Sequence, residues 1–394
     1  MPSRRRLLAG LSAAGVGGLA GCLGGRGSAN FSPGRESDTE WPLPGHGARA
    51  TNYVAEAVAP RTPPTERWRA ETGQAVGRPV VADGRAFVPA EDGVYALRMR
   101  DGDERWRASV APYGVAVADG VAYVSARDDP LVYAFEADTG KERWRVETAG
   151  DFAAAPLPLP SGDGVVVGDT DGRVAALRPR TGEVIWSFRA FTGVYSLAAR
   201  EDRVYVGTTG GETYELHVVE PDDEGVQAVP LWRRKLPGTV RALSASRRAV
   251  YAATFDGGFL RLATGASAGR TEWHAANAPT VTDALVHAGD LVLGAGPDGV
   301  AAFGARDGGS RWVDESDRAA PASPSVAAGD TLYAGVANEL RAYGLGGGVG
   351  VGPYRMDAER WRRPIPVRGI AIADGALVVT SDDLDGASGV VVLE

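Results

Sequence analysis

The sequence of 394 residues holds one cysteine, Cys22, so no internal disulfide can form and a cysteine-ligated zinc or iron–sulfur centre is excluded. Lysine is almost missing as well: Lys141 and Lys235 are the only two, and 40 of the 42 basic residues are arginine. Against them stand 50 acidic residues, a formal charge of −8, which argues against a nucleic-acid partner. Past the N-terminus no apolar run approaches the ~18 residues that a membrane-spanning helix needs, and no segment sustains a helical hydrophobic period. What the chain has in quantity is turn and strand material: 54 glycines, 25 prolines and 9 tryptophans.

Residues 1–21 read as an export signal. Arg4 and Arg5, followed by Arg6, directly precede an apolar stretch of small residues from Leu7 to Gly21, the layout of a twin-arginine signal. That stretch ends Leu19-Ala20-Gly21-Cys22, which resembles a lipoprotein lipobox, where the Cys thiol receives a diacylglycerol and becomes the mature N-terminus. The expectation is a protein exported and held on the outer face of the cytoplasmic membrane by lipid on Cys22. Without residues 1–21 the net charge becomes −11. An acidic, lysine-poor, Gly- and Ala-rich exported chain fits a haloarchaeal source, and a high genomic GC content gives the same arginine bias. Residues 22–64 read as a tether rich in Gly, Ser and charge, continued by an irregular strap around Trp41, Leu43, Tyr53 and Val58. If unstructured, the stretch from Cys22 to Thr65 would reach about 35 to 40 Å.

The rest of the chain is one unit repeated. Trp68, Trp106, Trp144, Trp186, Trp232, Trp273, Trp312 and Trp361 recur at intervals of 38 to 49 residues, the length of a four-stranded propeller blade and too long for the shorter helical repeats. A glycine stands four residues before the Trp as Gly102, Gly140, Gly182, Gly269 and Gly308, where a tight turn demands positive φ. Upstream in each unit a second turn, such as Asp83-Gly84, Asp119-Gly120 or Asp374-Gly375, introduces a short β-branched or aromatic run. Residues 65–72 supply a lone Trp-bearing fourth strand, and residues 368–394 supply three strands without a fourth. The two ends complete one another. The reading is all-β: an eight-bladed β-propeller over residues 65–394, closed by its N-terminal strand so that no sheet edge stays open.

The recurring A-x-x-x-x-T-G-x-x-x-W, as in Ala134 to Trp144 and Ala176 to Trp186, resembles the pyrroloquinoline-quinone (PQQ) propeller repeat. That family includes quinoprotein alcohol dehydrogenases and BamB-like outer-membrane assembly lipoproteins. The resemblance covers Trp68 to Glu394 and weakens where Glu220 to Pro230 and Gly344 to Met356 lengthen the third hairpins of blades 4 and 7. It implies that the eight repeated tryptophans are structural, docking between neighbouring blades. It implies PQQ chemistry only weakly, because quinoprotein dehydrogenases also carry a vicinal Cys-Cys pair, a calcium shell and a catalytic Asp. No cofactor is therefore expected, PQQ with calcium being the alternative.

Other candidate sites fail on context. Gly265 to Gly269 (GASAG) matches a nucleophile elbow, which works on a strand-to-helix turn, whereas this copy falls in a strand-to-strand hairpin. His46, His217, His274 and His287 lie in different units without ligand spacing. Ser381 to Gly386 (SDDLDG) begins like a calcium loop, but its twelfth place is Val392 instead of Glu. The function expected is a non-catalytic, lipid-anchored scaffold for a membrane or cell-surface protein, with a PQQ-dependent oxidoreductase as the alternative. The two insertions, both in third hairpins, are expected on one face of the disc.

Overall fold

The computed structural model describes residues 40–394 except 221–224, 256, 283, 298, 316–323, 352–353 and 357. Arg4, Arg5, Cys22 and the tether residues 22–39 lie outside the described residues. Eight antiparallel meanders succeed one another around an axis. Blade 1 is Val80–Ala82, Arg85–Ala90, Gly93–Arg98 and Glu104–Ala108, and blades 2 to 7 repeat it as far as Glu359–Arg363. Blade 8 takes Gly369–Ala373, Ala376–Ser381 and Gly389–Leu393 from the end of the chain and Glu66–Glu71 from its beginning. The closing ladder runs Trp68 against Val392, Arg69 against Val391 and Ala70 against Val390. Beyond it, the Thr65 and Glu394 backbones bond each other in both directions, at 2.8 and 2.9 Å.

Apolar residues are packed between blades rather than in one central core. Phe87 and Trp106 of blade 1, for instance, share a cluster with Val115, Val124 and Phe135 of blade 2. Each sheet buries both faces against its neighbours, so its strands read as near-continuous apolar runs. This division of the core is how one domain exceeds the size at which a single core stops growing.

The repeated tryptophan is aimed by a device that the sequence pattern did not disclose. In all eight blades the pairing of the third and fourth strands slips by one residue immediately before the Trp. The bulged residue is an arginine in five of them: Arg67, Arg105, Arg143, Arg311 and Arg360. A bulge turns the following side chain out of the regular alternation, and the indole enters the seam with the next blade. There Trp68 Nε1 donates to Met99 O at 2.8 Å, Trp106 to Ala137 O at 2.9 Å, Trp144 to Pro179 O at 2.9 Å and Trp273 to Ala305 O at 3.1 Å.

The turn glycine of the next blade lies flat on that indole. A Cβ on Gly102 would stand 2.6 Å from the Trp68 ring, and one on Gly140 would stand 2.6 Å from Trp106. Glycine is required there twice over, for positive φ (79° and 71°) and for the close approach. Gly347 keeps this place over Trp312 although the blade 7 insertion has moved it away from Trp361. Two docks differ. Trp361 donates to Pro60 O of the strap at 3.1 Å, and Trp232, only partly buried, donates to the buried Glu215 of its own blade at 2.5 Å.

The strap is more ordered than its composition promised. From Trp41 to Val54 it crosses the axial channel and bonds the innermost strand of one blade after another. Trp41 and Val81 exchange both backbone bonds, and Val117, Ala199, Ala245, His287 and Ala327 donate N–H to the carbonyls of Pro42, Ala48, Arg49, Thr51 and Asn52 at 2.7 to 2.9 Å. Tyr53–Val54 then pairs parallel with Ala327 and Ala328 of blade 7. Ring closure removes the outer ends of the array but leaves the innermost strand edges facing the channel, and the strap satisfies some of those groups in blades 1, 2, 4, 5, 6 and 7. The reach of 35 to 40 Å, which assumed an unstructured chain as far as Thr65, therefore does not hold for the strap, whose residues are bonded to the ring from Glu40 onward.

Candidate functional site

Third-hairpin and first-hairpin turns lie side by side on one face of the disc. Met99 N–H donates to Gly84 O, Ala137 to Gly120 O, Val218 to Asp202 O and Leu345 to Asp330 O, all near 2.9 Å. Both insertions are thereby on this face, as expected. In blade 4 the ladder runs on to Val219 opposite Gln227, making Gln227–Lys235 the longest described strand. In blade 7 a small ribbon, Val349–Val351 with Tyr354–Met356, is added. Val349 is 78% exposed, and Val58 of the strap, in the same sector, is 76% exposed. The chain also enters on this face, where Glu40 Oε1 accepts the Asp83 N–H at 2.8 Å.

Within the face, the channel mouth forms a bowl of about 580 Å3 floored by the strap. Its rim carries both charges: Asp83 and Asp119 stand on blades 1 and 2, Arg200 and Glu201 on blade 4 and Arg247 on blade 5. Partial burial pushes the Asp119 carboxyl above the usual range. The opposite face presents aromatic and cationic groups: Phe191, 71% exposed, lies under the Arg233 guanidinium at 4.5 Å, with Arg234 and Lys235 beside it.

Beneath the strap a second cavity of about 140 Å3 occupies the channel. Arg78 of blade 1 and Arg241 of blade 5 are its charged lining residues, and no carboxylate lines it. Calcium takes six to eight oxygen ligands, carboxylates foremost. These residues do not fit the calcium that a quinone cofactor would share, and no group of three or more His, Cys, Asp or Glu able to hold a metal occurs among the described residues.

The remaining sequence candidates are dispersed. Gly265–Ser267 forms a single 3-10 turn between two strands of blade 5 and offers no helix for a nucleophile elbow. In Ser381 to Gly386 the carboxylates turn outward: Asp382 to Arg368, Asp385 to Arg69 at 2.6 Å, and Asp383 to the Gly386 N–H at 2.8 Å. His46 packs on Trp41, His217 meets Asp202 at 2.8 Å, His274 bonds Gly257 O, and His287 lies against Tyr251 with ring centroids 4.5 Å apart. Seven of the repeat tryptophans, at 68, 106, 144, 186, 273, 312 and 361, are buried and Trp232 is half-buried, all within the seams and away from both cavities.

Residues 52–189, 90–223 and 189–392 each match the family model described as outer membrane protein assembly factor BamB. The chain belongs to that family. Among solved structures, BamB from Moraxella catarrhalis superposes with a TM-score of 0.68 at 20% identity, over 84% of this chain and 97% of that one. The quinohemoprotein alcohol dehydrogenase ADHIIG from Pseudomonas putida HK5 gives a TM-score of 0.70 at 14% identity, over 91% and 80%. At such identities the likeness is one of fold. A curated relative, the serine/threonine-protein kinase AfsK of Streptomyces griseus, is 31% identical over 212 residues, 48% of this chain and 25% of the kinase. AfsK of Streptomyces coelicolor is 29% identical over 152 residues. The chain spans a quarter or less of the kinases' length.

Proposed function

We propose that this BamB-family propeller is a non-catalytic, extracytoplasmic scaffold, lipid-anchored through Cys22, whose insertion-bearing face engages a membrane or cell-surface protein. The observation that carries the reading is the coincidence on one face of the chain entry at Glu40 and of both blade insertions. A lipid at the end of the tether brings that face toward the membrane, and loops on a rigid scaffold are where binding residues concentrate. Arg4, Arg5 and the Leu19 to Cys22 lipobox supply export and acylation.

The test has two parts. Cys22→Ala should release exported protein into the medium, because anchoring by acylation is lost with the thiol. Replacing both insertions by tight turns of the Thr139-Gly140 kind should leave melting unchanged and remove co-purified membrane proteins. Unchanged partners after loop removal would overturn the choice of face. The second reading, a quinoprotein oxidoreductase, is favoured by the shared fold of the quinohemoprotein dehydrogenase. It predicts dye reduction after reconstitution with PQQ and calcium, which the scaffold reading excludes.

A further inference from the structure

The cavity beneath the strap differs in electrostatics from the rest of this acidic protein. Of its lining residues only Arg78 and Arg241 are charged, and they come from blades 1 and 5, on opposite walls of an eight-bladed ring. Arg78 is 6% exposed, and its Nη2 donates to Asn52 Oδ1 of the strap at 2.7 Å. Arg241 is held by aromatic groups: its Nη1 donates to the Tyr195 hydroxyl at 2.5 Å, and its guanidinium lies 4.7 Å from the Tyr195 ring and 4.8 Å from the Phe255 ring. Among the described residues Arg241 forms no ion pair. Stacking on the two rings fixes the fork in place.

The planar fork of a guanidinium matches the two oxygens of a carboxylate, and neither Asp nor Glu lines this cavity to compete for it. We infer that this cavity is a binding site for a compact dicarboxylate, one carboxylate meeting Arg241 and the other meeting Arg78. The volume of about 140 Å3 limits the ligand to a few carbon atoms. Because the strap covers the hairpin face, entry is from the opposite face, where Tyr113 and Tyr195 are only half-buried and Phe255 is exposed. The inference is independent of the scaffold reading, since it concerns the channel and not the insertions.

The test is calorimetric titration of the folded chain with sodium succinate at constant ionic strength in sodium chloride, alongside thermal melting with and without succinate. Saturable one-site binding with a raised midpoint is expected, weakened at least tenfold in Arg241→Met, which keeps much of the side-chain volume. Acetate, with one carboxylate, should bind at least tenfold more weakly than succinate. Should Arg241→Met fail to fold, Tyr195→Phe, which removes the hydroxyl and keeps the ring, should weaken binding severalfold. No saturable binding up to about 10 mM, beyond the range of weak specific affinities, would overturn the inference. So would equal binding by the parent and the variant, or preference for inorganic phosphate over succinate.

Discussion

Most blades of the ring make nearly the same contact, a bulge-aimed tryptophan against the turn of the next blade, whereas the strap meets each blade it crosses with a different residue. Trp41 bonds blade 1, Pro42 blade 2, Ala48 blade 4, Arg49 blade 5, Thr51 blade 6 and Asn52 blade 7. The ring spends its interactions between nearest neighbours, as repeat proteins do. The strap ties together blades that are not neighbours. The difference teaches that a closed propeller has two edge problems, one at the ends of the array and one around the channel, and that this chain solves the first by repetition and the second by a single irregular segment.

The comparison breaks most directly at its largest side chains. Trp41 in the strap is 0% exposed and Trp312 in a seam is 1% exposed, so each mutated to Ala should lose ~3 to 5 kcal/mol. Denaturant melts of both variants test this. A loss below ~1 kcal/mol for Trp41→Ala alone would reduce the strap to a surface attachment.

The next effect is pH-dependent and sits where strap and ring meet. Burial, then the charge of Arg49 in the strap, lowers the His287 imidazole from 6.5 to about 4. The unfolded chain thus takes up a proton that the native site refuses. Stability from this group is complete above pH 6.5 and falls as pH drops toward 4, by ~3 kcal/mol in all. Melts across pH 4 to 7 should show the slope in the parent and a flatter profile in His287→Gln; parallel profiles would contradict it.

The smallest effect separates two reasons for glycine. Gly140 has φ of 71° and touches Trp106, whereas Gly120 has φ of 69° and nothing within 4 Å of an added Cβ. Gly120→Ala should cost ~1 kcal/mol from backbone strain, and Gly140→Ala should cost a further ~1 to 3 kcal/mol from the clash with the indole. Equal losses would mean that the seam yields freely.

These contrasts also explain what could be read from the sequence. The Trp period, the Gly-bearing turns and the complementary chain ends are repeated, so each copy reinforces the others and the eight blades stand out. The bulge before each Trp left a trace in the Arg-Trp pairs, but bulges carry no residue signature of their own. The strap has no period, because each residue answers a different blade, and it turns through positive φ at His46, Ala50 and Asn52 without glycine. Arg78 and Arg241 are far apart in the chain and only ring closure brings them to one cavity. The Trp232–Glu215 bond likewise follows from a register that composition does not encode.

The strap is a structural part of the propeller, as firmly held as the blades. Native-state hydrogen exchange tests it at five of the amides that donate to the strap: Val117, Ala199, Ala245, His287 and Ala327. They should open only with global unfolding, with protection equal to that of the Val390, Val391 and Val392 amides in the closing blade. Exchange at those five amides orders of magnitude faster than in the blades would show a strap that detaches from a folded ring, and would contradict the account.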